Sequence, residues 1–295
     1  MVAELKFDYR MRDLLKKIWN WTERSDAPAA TVVTAEQDLS SYLEFYRTME
    51  RKYLSFFLRH PRRSIRAIQN VLRLPVVDAS LSECSQGKTI HEALTKRFFK
   101  NTVTLGATGA CILPVPDKPE AYSQGSSRQT LRRKARAAVG AGVTWRAVDD
   151  WAEQERLVGV LEEALEKKAD ARYRQVDADH KFLIGLGMWT VAFSQDGEPL
   201  MIAVTPHDGQ WAVLTAFLTL GDSKQHSDTR YYLTQIVVER LSAKGVRYLA
   251  DTRSPFELDN GLRHFQRMLG FRIVRVRVAK KRAQYRYSSL VWKVF

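Results

Sequence analysis

Apolar residues in this chain fall mostly at helical spacing in the first hundred positions and shift to strand-like runs further on. Over residues 5–24, Phe7, Met11, Leu14, Ile18 and Trp21 share one face, with Arg10, Arg12, Lys16 and Lys17 beside it, which predicts a short basic helix. Pro28 marks a linker at 25–30. Leu39, Leu43, Tyr46, Met49, Tyr53 and Phe57 predict a longer helix over 35–59, stopped by Pro61. Helices are expected at 64–72 and 89–99, a short strand at 74–77, and a strand interrupted by glycines at 103–114. Residues 126–139 read as the most basic helix of the chain, with Ser126 and Ser127 as caps. A strand at 143–148 and a helix at 151–172 follow. Asp196-Gly197 between two β-forming runs predicts a hairpin of 187–194 with 199–205.

The most informative stretch is 211–271. It reads as a strand at 211–219, a polar loop at 220–228, a helix at 229–244, a strand at 246–251 and a helix from about 260 into Leu269-Gly270-Phe271. Ser227 and Asp228 are placed to cap the first of these helices, and Gly245 to end it in the left-handed conformation. A strand pair joined by a helix brings the loop after the first strand to the strands' carboxyl ends, where open α/β sheets usually bind ligands. The chain is expected to close on two strands, 271–279 and 288–295, around a basic turn at 280–286.

Composition narrows the class without naming a chemistry. With 45% hydrophobic residues in 295 positions there is ample core for one large domain or two modest ones. The net charge of +14 points to acidic partners: phosphate-bearing small molecules, RNA or an anionic membrane face. Cys84 and Cys111 form neither a disulfide framework nor a metal motif, and no metal ligand set is read. No apolar run approaches the roughly 20 residues needed to span a bilayer, and the amino terminus lacks a signal pattern, so a cytoplasmic protein is expected. The helix at 5–24 admits an interfacial reading, with Trp19 and Trp21 at headgroup depth, although such stripes usually pack on the protein's own core. The cluster from Arg59 to Arg66 admits phosphate contact in the same way.

Two segments carry a resemblance. Asn260 to Phe271, a helix closing on Leu-Gly-Phe, resembles the last helix and turn of the GNAT acyltransferase superfamily. Upstream, Ala110 to Pro116, then Glu120-Ala121-Tyr122, then the arginine-studded run from Ser127 to Arg136, resembles the FemAB-type, BioF2-like branch. The resemblance covers about 105–295. It implies an α/β (α+β) fold, a GNAT-like mixed and mostly antiparallel sheet flanked by helices, preceded by a helical-rich region at 1–104. It further implies transfer of an acyl or aminoacyl group from an activated, phosphate-bearing donor to an amine or hydroxyl. The donor would be acyl-CoA or acetyl-CoA, or aminoacyl-tRNA; the acceptor, a small molecule, glycan or peptide.

By that resemblance the donor phosphates belong on the loop and helix start after the 211–219 strand. Gly221, Ser223, Lys224, Ser227, Asp228, Thr229 and Arg230 are the candidates there, with Asn260 at the last helix. Arg128, Arg132, Arg133 and Arg136 are candidates for an anionic substrate. The pattern is also broken. The loop has one glycine and two aspartates in place of a glycine-rich turn, and Gln266 stands where many GNAT enzymes carry a tyrosine acid. Gln266 cannot protonate a leaving group. Asp251, at the end of a strand facing the cleft, is the first candidate base, and His226, with a suitable unperturbed pKa, the second. A non-catalytic GNAT-like scaffold that binds nucleic acid or anionic lipid is the competing reading.

Overall fold

The computed structural model describes residues 29–49, 56, 59–98, 103–168, 170, 171, 174–176 and 178–279. The helix expected at 5–24, the basic turn at 280–286 and the strand at 288–295 lie outside them. The elements are α1 (Ala29–Thr48), α2 (Pro61–Arg73), β1 (Val76–Ala79), α3 (Ser85–Thr95), β2 (Arg97–Phe98), β3 (Val103–Thr104), α4 (Leu105–Thr108) and β4 (Ala110–Pro114). Then come α5 (Gln129–Gly140), β5 (Thr144–Ala147), α6 (Trp151–Glu166), β6 (Met188–Phe193), β7 (Pro199–Thr205), β8 (His207–Asp208), β9 (Trp211–Leu214) and β10 (Ala216–Thr219). The last are α7 (Lys224–Ala243), β11 (Tyr248–Asp251), α8 (Asn260–Leu269) and β12 (Arg272–Val278).

Two sheets carry the fold. One has the order β1-β12-β4-β11-β9-β8 and the other β10-β7-β6-β5. Among the described residues, only β1 with β12 and β9 with β11 run parallel; the remaining pairings are antiparallel. This is the mixed, mostly antiparallel sheet flanked by helices expected above.

Alternation along the strands sorts the core into layers. Ala212 and Leu214 point with Leu113 and Leu249 toward α5, α7 and α8, meeting Leu131, Leu233, Val237 and Phe265. Trp211 and Val213 point the other way with Ile112 and Ala250, under Ile90 and Leu94 of α3. On the four-stranded sheet, Trp189, Val191, Ile202 and Val204 pack beneath Leu157, Leu161 and Leu165 of α6. A smaller cluster joins Leu39, Leu43 and Ala67 to Leu74 and Ile273. The chain before residue 105 is thus built into the same sheet through β1, and into its core through α1 and α3.

The 211–219 strand differs from its expected form. Thr215 N–H bonds the Val204 carbonyl, and Ala216 is the register partner of the same Val204, so two residues face one. That β-bulge bends the strand and ends one ladder. Before it, Trp211 to Leu214 pair with Tyr248 to Asp251 of β11; after it, Ala216 to Thr219 pair with β7 instead. The two sheets therefore part at Thr215. Leu220 N–H bonds Leu200 O, which fixes the alternation. The amides and carbonyls of Phe217 and Thr219 then face away from β7, toward the side β11 has left.

Several boundaries move for identifiable reasons. Helix α7 starts at Lys224, five residues earlier than expected, because Ser223 and not Ser227 or Asp228 is its cap: the Ser223 side chain accepts from His226 N–H. Pro61 opens α2 at its first position, where its missing N–H costs nothing. Residues 126–128 form a 3-10 turn before α5, and neither Ser126 nor Ser127 caps it. The segment 103–114 folds as two strands around the short helix α4, since Gly109 takes a φ of 110°. Helix α6 ends at Glu166, short of the expected 172.

Gly187 starts the hairpin at a φ of 64°, and a Cβ there would sit inside contact distance of the Pro206 backbone; Gly197, at 82°, opens to free space. Gly197→Ala should cost about 1–2 kcal/mol, from the left-handed backbone alone. Gly187→Ala should cost about 3 kcal/mol, because a backbone clash is added to the same strain. Urea denaturation of both variants checks this, and equal losses would show that the Gly187 turn relaxes freely.

Candidate functional site

The parting of the strands at Thr215 separates two structural ends. One is the loop Leu220 to Ser223 with the first turn of α7, and the other is the carboxyl end of β11, where Asp251 stands in register with Leu214. An α-helix leaves its first-turn amides without intrahelical partners, and the aligned peptide dipoles make that end attractive to anions. Here His226 N–H is taken by the Ser223 hydroxyl, while the Lys224 and Gln225 amides precede it in the same turn.

Two aspartates at this end are countered by lysines from distant segments. Lys168, after α6, donates to Asp222 at 2.7 Å and to the Gly221 carbonyl at 3.1 Å. Asp228, buried on α7, accepts from Lys134 of α5 at 2.6 Å and from Lys224 at 3.2 Å. Burial alone would raise the Asp228 pKa, but the hydrogen bonds and charges of the two lysines outweigh it and hold the carboxyl below its ordinary value. Asp222 and Asp228 carry two negative charges against three lysines. The acidic loop is therefore not repulsive to an anion.

His226 lies on the first turn of α7, not in a free loop. Its Nδ1 is 2.8 Å from the Ser223 hydroxyl, and its ring covers Gly221, where a Cβ would come within 2.5 Å of the imidazole. Burial and the nearby Lys168 charge lower its pKa, against a smaller opposing pull from Asp222. Farther along, the Thr229 hydroxyl is fully buried and has no hydrogen-bond partner among the described residues; the Thr215 hydroxyl at the bulge is in the same condition. Ser227 contributes its amide to the Ser223 carbonyl as part of the helix start. The Arg230 guanidinium lies 4.3 Å from the centroid of the Phe265 ring.

Across the fork, Asp251 is held on both oxygens. Oδ1 accepts from the Arg253 amide at 2.8 Å and Oδ2 from Gln266 Nε2 at 2.6 Å. Burial is the largest influence on its carboxyl and raises its pKa, despite the opposing hydrogen bonds. Gln266 is thus a buried donor aimed at Asp251, a role unlike that of the tyrosine acid its position evoked. Its Oε1 accepts in turn from Arg263 Nη1 at 3.3 Å.

The arginines of α5 divide by task. Arg128 donates to the Met268 carbonyl at 3.3 Å and lies over the Tyr122 ring; the Tyr122 hydroxyl donates to the Leu269 carbonyl. Both side chains hold the carboxyl end of α8. Arg132 donates to the Ser123 and Gly125 carbonyls at 2.7 Å each, and Arg136 Nε to the Arg132 carbonyl. Arg133 is exposed. Asn260 opens α8 as its first residue, but Asp259 is the cap, accepting from Leu262 N–H. A cavity of about 290 Å³ lies at the other end of β11, lined by residues including Glu36, Ile112, Tyr248 and Arg272. It includes none of the residues from Leu220 to Arg230.

Sequence reasoning gave no role to Arg263 or Glu36, counted Lys134 only with the basic face of its helix, and expected Lys168 on an exposed side where the structure buries it. Lys134 and Lys168 meet their aspartates across 94 and 54 positions of chain, so no local spacing could reveal them. Arg263 had one signal: it falls on the apolar side of α8, three residues before Gln266.

No protein-family model matches the chain, and no curated protein matches it. Among solved structures it is similar to L-PGS from Bacillus licheniformis, at 14% identity and a TM-score of 0.39 over 56% of this chain and 57% of that one. It is also similar to the carboxy-terminal domain of a protein named as a lysylphosphatidylglycerol synthetase from Agrobacterium fabrum, at 14% identity and a TM-score of 0.42 over 56% and 58%. A conserved protein of unknown function from Bacteroides thetaiotaomicron aligns at 12% identity and a TM-score of 0.41, over 65% and 67%. The matched part spans less than two thirds of the length of the first two chains.

The Lys168 charge near His226 gives a signed expectation. Lys168→Met removes a cation that disfavours the imidazolium, so the His226 pKa should rise toward its ordinary value. Ring carbon-proton NMR signals followed through a pH titration measure it, and an unchanged or lower midpoint would contradict the assignment of that charge.

Proposed function

We propose that this protein is a transferase that moves an acyl or aminoacyl group from a phosphate-bearing carrier to an amine or hydroxyl, with Asp251 as general base. The supporting observation is the bulge at Thr215 and Ala216, which parts β10 from β11 and lets β10 run on alone from the level of Asp251 to the loop before α7. The helix start, Lys224 and the lysine-neutralised loop suit a phosphate. The outward amides and carbonyls of Phe217 and Thr219 suit a polar, extended carrier arm laid along the strand edge. These residues fit a donor of the acyl-CoA or aminoacyl-tRNA kind.

The chemistry asked of the protein is small. The donor arrives already activated as a thioester or ester, so catalysis consists of positioning and one proton transfer. As the acceptor nitrogen or oxygen bonds to the carbonyl carbon, its proton passes to Asp251, and the carrier sulfur or oxygen departs with the electron pair of the broken bond. A carboxylate whose pKa is raised by burial is a better base for this than an ordinary aspartate. The hydrogen bonds from Arg253 and Gln266 occupy part of the carboxylate and leave it further lone-pair sites. His226 is the weaker candidate, since its Nδ1 is engaged by Ser223 and its ring is packed on Gly221.

Thermal stabilisation by acyl-CoA, aminoacyl-tRNA and their unacylated carriers tests the binding half. Stabilisation by one carrier, reduced in Lys224→Ala, is the expected result; indifference to every carrier would refute the donor site. With the active donor in hand, Asp251→Asn should lower turnover about 100-fold or more while leaving the carrier-induced stabilisation in place. Turnover unchanged by Asp251→Asn would remove Asp251 from the chemistry.

A further inference from the structure

Three of the buried polar side chains of this molecule, Gln266, Arg263 and Glu36, are linked in series. Starting at Asp251, a chain of contacts runs away from the fork into the protein: Asp251 Oδ2 to Gln266 Nε2 at 2.6 Å, Gln266 Oε1 to Arg263 Nη1 at 3.3 Å, and Arg263 Nη2 to Glu36 Oε1 at 3.5 Å. Gln266, Arg263 and Glu36 are 2%, 4% and 9% exposed. Glu36 ends the chain firmly, since it also accepts from Arg272 Nε at 2.5 Å and from the Ile273 amide at 3.1 Å. It belongs to α1, more than two hundred residues from the helix it contacts.

Each link constrains the next. A glutamine amide is ambivalent: it can present oxygen or nitrogen to a carboxylate, and only nitrogen helps. The Arg263 guanidinium has donors and no acceptor, so it claims the oxygen of Gln266 and turns the nitrogen toward Asp251. Arg263 is in turn located by Glu36 on one side and by a 3.5 Å contact with Cys111 Sγ on the other. Its Nε has no partner among the described residues, so the guanidinium depends on Glu36 for its opposite charge. We propose that Glu36 acts through Arg263 and Gln266 as a remote positioning residue for the Asp251 carboxylate, making α1 part of the machinery of the fork. The inference rests on the reading of Asp251 as the base, but the coupling itself can be measured without any donor.

The charged or titratable groups facing Asp251 are Arg253 and Glu257 on the loop after β11, and behind Gln266, Arg263 on α8. The test uses the full chain with its aspartates labelled with ¹³C at the carboxyl. The Asp251 signal is identified by its loss in Asp251→Asn, and its titration midpoint is followed by NMR. Gln266→Met keeps length and removes the donor, so the midpoint should rise by about one pH unit, because a hydrogen bond to the charged form is lost. Glu36→Asp keeps the charge and withdraws it by one methylene. An upward shift, smaller than that of Gln266→Met, is expected. Glu36→Gln supplies a second variant with opposing signs: loss of a negative charge acting through space would lower the midpoint, whereas a slackened Gln266 raises it.

Upward shifts in the Glu36 variants, with the native amide spectrum retained, support the coupling. An unchanged or lowered midpoint in either folded Glu36 variant overturns it, even if Gln266→Met shifts as expected, and so does a Glu36 side chain that both variants show to be indispensable for folding alone. Upward shifts together with full turnover in Asp251→Asn would leave the coupling standing and sink the catalytic reading instead.

Discussion

A β-strand has two edges, and each can serve one neighbour at a time. The extra residue at Thr215 forces the strand from Trp211 to Thr219 to change allegiance midway, with β11 as its neighbour before the bulge and no counterpart on that edge after it among the described residues. Everything proposed about this molecule depends on that constraint. Had the strand run straight, β11 would have continued beside it, and Phe217 and Thr219 would spend their outward amides and carbonyls on a ladder. The polypeptide after Asp251 would then be drawn against the strand and away from α8. The bulge instead leaves, among the described residues, a polar edge that leads from the level of Asp251 to the loop before α7.

The electrostatics at this fork follow from where the lysines come from. A loop that reads Gly221-Asp222-Ser223-Lys224 looks hostile to phosphate, and taken alone it is. Folding brings Lys168 to Asp222 and Lys134 to Asp228, the second pair largely removed from water. A pair with one deeply buried partner is screened less by salt than a surface pair, so its two charges cancel effectively. What a ligand would meet is Lys224, largely exposed although it also reaches Asp228, with the first-turn amides and the dipole of a 20-residue helix. The Asp222 pair has its carboxylate 60% exposed and adds little stability by itself; its effect is to lower the charge of the loop.

The hairpin of β6 and β7, the strand of β11 and the helix α8 were legible in the sequence because their signals are local: Asp196-Gly197, a run of β-formers, a glycine stop at Gly270. The bulge was not, because Thr215 is an ordinary strand residue and only the register against Val204 reveals that it is extra. The start of α7 was missed for a related reason. Ser223, Ser227 and Asp228 are all competent caps, and the choice among them is made by packing: Asp228 is drawn into the core by Lys134, which requires it to be helical already. Asp251 was placed correctly at a strand end, whereas Gln266 was judged only as a failed acid. Its function as a donor depends on Arg263 turning its amide, which no spacing rule conveys.

The first hundred residues resisted reading for the deepest reason. Glu36 falls at the start of the helix predicted over 35–59, one turn before the first residue of its apolar stripe, and nothing in the sequence says that its carboxylate meets Arg263, Arg272 and the Ile273 amide. Such a cluster is an awkward way to stabilise a core. Apolar residues of the same volume often do as well or better, because desolvating charges costs several kcal/mol per ion. What an ionic cluster supplies that an apolar one cannot is direction: donors and acceptors fix the rotation of planar groups, which dispersion forces leave nearly free. A buried amide whose orientation decides whether Asp251 meets a donor or a second acceptor needs that kind of constraint. The placement of Glu36 on α1 would then tie the proposed orientation of Asp251 to the packing of α1 against α8 and β12.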